Sequence, residues 1–112
     1  MAFTEIDTDD LFARMFGAAR ADAGPAWQQV RNICKIELKA FARQIKEIGK
    51  GVALGEISED SGRTMLRLSR NHTVLLLSAM TALTAASAES IVNAALAEVR
   101  GSVAGALGFE LF

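Results

Sequence analysis

Between Trp27 and Val52 the apolar side chains recur at intervals of three and four: Trp27, Val30, Cys34, Leu38, Phe41, Ile45, Ile48 and Val52. At 100° per residue these positions share an arc of about 80° on a helical wheel. A strand would scatter them over both of its faces, so the pattern specifies a helix. So narrow a stripe also specifies a neighbour lying nearly parallel or antiparallel to it. From Cys34 onward the alternation is that of a heptad seam. An all-α fold follows. One proline, no tyrosine and abundant alanine and leucine agree with it. The length of 112 residues gives a single domain, 1–112.

The remaining helices are delimited by their end signals. Thr8 followed by Asp9 and Asp10 has the chemistry of a helix start, a hydroxyl cap and then acids at the positive end of the dipole. The first helix is expected over about 8–23, with Leu11, Phe12, Met15, Phe16 and Ala19 on one face, ending at Gly24-Pro25. The second covers about 26–54 and stops at Gly55. Ser58 caps a third that opens with Glu59 and Asp60. So short a link folds the third helix back antiparallel on the second. No glycine or proline lies between Gly62 and Gly101. That permits one helix over about 58–100, or a break near 84–90 with Ser87 or Ser90 as cap. Residues 101–112, punctuated by Gly101, Gly105 and Gly108, are expected to fray or to end in a short extended, apolar tail. The architecture is thus a long antiparallel helical hairpin with a short N-terminal helix, three to four helices forming a bundle.

A net charge of −1 conceals an uneven distribution. Residues 26–54 carry six bases against two acids, and only Glu89, Glu98, Arg100 and Glu110 are charged after Asn71. Arg31, Lys35, Lys39, Arg43, Lys46 and Lys50 fall within an arc of about 120°, away from the apolar seam. Arg63, Arg67 and Arg70 repeat the pattern on the third helix, where a hairpin would bring them near Lys46 and Lys50. Such a face suits an anionic partner, nucleic acid or lipid headgroups. A solvated face, partly neutralised by the acidic first helix, is the plainer reading. The near-zero net charge and the lack of interleaved aromatics favour it.

The uncharged run from Asn71 to Ala88 reaches the lower length limit of a membrane span. Its hydroxyls dilute it, and a helix buried on all sides of a bundle is favoured over a span, with His72 as a hydrogen-bonded core side chain. Gly101-x-x-x-Gly105 is a weak signal, better read as a packing notch than as a membrane dimerisation motif. The acidic start, Met1 to Asp10, lacks the basic and apolar regions of a secretory signal. With a single cysteine, Cys34, there is no intramolecular disulfide. The expected location is cytoplasmic or within a macromolecular particle.

Catalytic chemistry finds no convergent candidates. His72 is the only histidine, Cys34 lies in an apolar seam with no histidine to activate it, and no metal-ligand spacing or phosphate-cradling loop occurs. The chain therefore reads as non-enzymatic, without cofactor or metal. A long hairpin would leave residues 88–112 uncovered, and Phe109, Leu111 and Phe112 are too apolar for water. Self-association, with seams of several subunits completing a shared core, is the simplest remedy. The expected role is structural or scaffolding: a homo-oligomer, or a component docking through this tail into a larger assembly such as a phage-type particle. Two alternatives stand beside it. One is a small membrane-active protein inserting residues 71–88 and 91–112. The other is a nucleic-acid-binding accessory protein using the basic stripe of the second helix.

Overall fold

In the computed structural model residues 6–112 are described, and the regular structure among them is helical. Helix α1 spans Thr8–Ala23 and α2 spans Trp27–Ala53, joined by a 3-10 turn at Gly24–Ala26; α3 spans Glu59–Met80 and α4 Ala85–Leu107. Asp7, one residue before the expected Thr8, caps α1. Its carboxylate accepts from the N–H groups of Asp9 and Asp10 at 3.0 and 3.2 Å. The negative charge meets the same dipole that favours Asp9 and Asp10 behind it. Ser58 caps α3, accepting from the Ser61 N–H at 3.0 Å. Pro25 occupies the turn, where its missing N–H has no helical partner to lose.

Of the two readings of residues 58–100, the broken one is present, with the break at Thr81–Thr84. Threonine hydroxyls produce it without glycine or proline. Thr81 donates its hydroxyl to the Leu77 carbonyl and accepts from the Leu83 N–H. Thr84, in place of Ser87 or Ser90, caps α4 by accepting from the Ser87 N–H at 3.1 Å.

Among the described residues α1 packs on α2, α2 on α3, α3 on α4, and α4 on α1, while α1 and α3 do not meet. Neighbours run antiparallel. Gly62 faces Ile48 and Val52, Arg70 reaches Glu89 and Asn93, and Arg14 and Asp22 of α1 reach Ser102 and Ser90 of α4. The α2 seam lies in the core: Trp27, Val30, Cys34, Leu38, Phe41, Ile45 and Ile48 are buried, and Val52 is half-buried against them. Met15 and Ala19 of α1, Leu66 and Leu77 of α3, and Ile91, Val92, Ala95, Val99, Val103 and Leu107 of α4 fill the remainder.

The last segment does not fray: it stays helical further than expected and then ends in a short non-helical tail. Helix α4 continues through Gly101 and Gly105 to Leu107. Each glycine costs about 1 kcal/mol relative to alanine, but burying Val99, Val103 and Leu107 returns about 1.5–3 kcal/mol per side chain. Gly108, at φ 81°, ends the helix with its N–H donating to the Ala104 carbonyl at 2.8 Å. The chain then turns back, so that Leu111 is 1 % exposed and Phe109 and Phe112 are half-buried against the core. Residues 88–112 are thus covered within the chain itself, and the overhang that motivated a shared core is absent.

No helix among the described residues is long and apolar enough to cross a membrane. The run 71–88 is divided between α3, the link and α4.

Candidate functional site

Cys34 and His72 occupy opposite environments. The Cys34 thiol is 1 % exposed, and burial pushes its pKa up from 9.0 to about 11, so it is kept as an unreactive thiol. His72, expected in the core, is exposed on α3. Among the described residues no three His, Cys, Asp or Glu side chains converge as a metal site.

The structure separates the basic residues into two groups. Of those on α2, Arg31, Lys35, Lys39, Arg43 and Lys50 are exposed, and Lys46 is half-buried. The Lys39 ammonium sits 5.4 Å from the centre of the Phe12 ring of α1. Arg63, Arg67 and Arg70 instead line a cleft between α3 and α4, together with Arg100. None of the α2 cations lines that cleft.

Helix α3 carries two stripes. One, with Gly62, Leu66, Thr73 and Leu77, is buried in the bundle. The other consists of Met65, Leu68, His72, Leu75 and Ala79, spaced three, four, three and four apart, all exposed. Leu68 is 62 % and Leu75 64 % exposed. Leu68 and His72 border a cleft of about 420 Å³ whose opposite wall is Glu37, Ala40 and Gln44 of α2. Ile36, one turn before Ala40, is 67 % exposed on the neighbouring surface. Read as one run, residues 71–88 resembled a helix buried all round. The duplicated heptad spacing on a single helix was the available sign of a second, outward face.

The α3–α4 cleft has a volume of about 360 Å³ and a floor of Phe41, Leu66, Leu96 and Leu111, all buried. Its ends are fixed by two of its arginines. Arg70 donates to Asn93 Oδ1 at 2.9 Å and to the Glu89 carboxylate at 3.1 Å. Arg63 donates to the Glu110 carbonyl at 2.9 Å and lies 3.9 and 3.5 Å from the carboxylates of Glu59 and Asp60. Sequence reasoning named Arg63, Arg67 and Arg70 but not Arg100, whose place beside them depends on α4 folding back.

Comparison of the chain with protein-family models, with curated proteins and with solved structures gives no match.

Proposed function

We propose that the protein is a non-enzymatic helical assembly module that associates with a second copy of itself through the outer stripe of α3. The observation that carries this reading is the exposed series Met65, Leu68, His72, Leu75 and Ala79, flanked by Ile36. The bundle already closes its own core, so no subunit is needed to complete it. What remains unpaired is a heptad-spaced face of the kind helices use on one another. After Arg70 the helix bears no charge, so two copies meet there without repulsion. The spacing is nearly symmetric about His72. A two-fold antiparallel pairing centred close to that residue sets Leu68 nearly opposite Leu75, and Met65 opposite Ala79.

Fully burying a large aliphatic side chain is worth about 1.5–3 kcal/mol, and Ile36, Leu68 and Leu75 are about two-thirds exposed. Two copies together would gain about 6–12 kcal/mol from these three positions, comparable to the rotational and translational cost of association, about 4–15 kcal/mol. A reversible oligomer is the expected result, suited to a structural or scaffolding part of a larger assembly. Light scattering on purified protein tests it. The chain should give a multiple of 11.9 kDa, and L68D/L75D should give 11.9 kDa with unchanged helicity. An unmodified chain that stays monomeric at about 100 μM, a concentration matching a Kd well above the micromolar range, sinks the proposal.

A further inference from the structure

From the cleft between α3 and α4 we infer a binding site for a small amphiphilic organic anion, a medium-chain carboxylate. Among the described residues four arginines line it, and no Asp or Glu side chain does. Two of them, Arg63 and Arg70, are occupied by partners within the chain. Arg67 and Arg100 make no hydrogen bond or ion pair among the described residues. They leave two guanidinium groups without a counter-charge around a depression with an apolar floor. Guanidinium is the side-chain cation best matched to a carboxylate, because its planar fork can donate two parallel hydrogen bonds.

The floor decides what the anion must carry. An inorganic anion would meet the arginines and leave the half-buried Phe112, which also lines the cleft, uncovered above the buried floor. An apolar alcohol would cover the floor and leave the charges unmet. A carboxylate on a short hydrocarbon chain answers both. The volume of about 360 Å³ lies within the range of small-molecule pockets. The clasps of Arg70 on Asn93 and of Arg63 on Glu110 hold the walls at either end, so little ordering remains for the ligand to impose. A polyanion is not matched by this arrangement, because none of the α2 cations lines the cleft to extend its charge.

On the α3 wheel the arginines stand about 150° from the exposed apolar stripe. The site is therefore independent of self-association, and L68D/L75D should bind the anion as the unmodified protein does.

Titration with sodium octanoate, followed by methyl NMR and calorimetry, tests the assignment, with 1-octanol, acetate and inorganic phosphate as comparison probes. Octanoate should bind one per chain, shifting the methyls of Leu66, Leu96 and Leu111, and each comparison probe should bind at least about tenfold more weakly, a difference of about 1.4 kcal/mol. Both spare arginines are exposed, so R67Q/R100Q should keep the melting temperature and the methyl spectrum. It should lose at least tenfold in octanoate affinity while octanol binding stays unchanged. No saturable shift at those methyls, or an R67Q/R100Q variant that binds octanoate normally, overturns the inference. Phosphate or acetate equal to octanoate overturns its amphiphilic part. Tighter, arginine-dependent binding of an acidic peptide would overturn it in favour of a protein partner.

Discussion

Replacing Gly62 with alanine should destabilise the fold, although alanine is the better helix former. A methyl group there would lie 2.9 Å from Val52 Cγ2, 3.2 Å from Ile48 Cγ2 and 3.4 Å from Leu111 Cδ1. The two closest atoms belong to β-branched side chains whose χ1 is stiff, so they cannot swing aside as a long side chain would. Either α2 and α3 separate by a few tenths of an ångström, or a rotamer is forced. Overpacking of this kind costs about 1–3 kcal/mol, while the gain in helix propensity is at most about 1 kcal/mol. The net loss is about 1 kcal/mol, or about 4 °C in melting temperature for a chain of this size. Gly101 and Gly105 provide the control. Both are exposed in α4 with nothing within 4 Å of an added methyl group, so alanine at either should stabilise by about 1 kcal/mol. Urea and thermal unfolding of the three variants, followed by circular dichroism, separates the cases. A G62A protein as stabilised as G101A would refute the close approach of α2, α3 and the turned-back tail.

Two further perturbations examine the core. Leu111→Ala should cost about 2–4 kcal/mol, because the side chain is 1 % exposed; a urea midpoint unchanged from the unmodified protein would mean the tail does not pack. Burial raises the Cys34 pKa from 9.0 to about 11, so above pH 9 the unfolded chain gives up this proton before the folded one does. The unfolded state then binds fewer protons. The Cys34 contribution is complete below about pH 9 and is lost as pH rises toward 11. C34A should therefore lose stability less steeply over this window, and equal slopes in the two proteins would contradict the burial of the thiol.

The α2 seam was legible because helix period and burial coincide along it: the residues that repeat at three and four are the ones the core takes. Ser58 was legible because a side-chain oxygen ahead of two acids has one main use at a helix start. Asp7 was passed over for Thr8, since either oxygen can serve as a cap and local sequence does not rank them. The α3–α4 break was only half legible, as threonine ends a helix when its hydroxyl competes for backbone groups, and that depends on the link having somewhere to go. Within residues 101–112 the glycines masked a helical stretch: the worth of Val103 and Leu107 lies in burial against other helices, which local sequence does not show. Three of the cleft arginines were legible as a stripe on α3, but the cleft itself was not, because Arg100 joins them only through the pairing of α4 with α3.

The contact between α1 and α4 bears on how the protein unfolds. Arg14 donates to the Glu98 carbonyl and to Ser102 across 84 and 88 residues of chain, whereas α1–α2, α2–α3 and α3–α4 are each joined by a short link. Closing so long a loop in an open chain is entropically unfavourable. Once the three hairpin contacts exist, the ends of the chain are already side by side and the closure requires almost no further ordering. The α1–α4 interface is therefore supported by the other three, and loosening any of them weakens it. A single cooperative transition, with α1 reporting the state of the whole molecule, is the behaviour that this coupling produces.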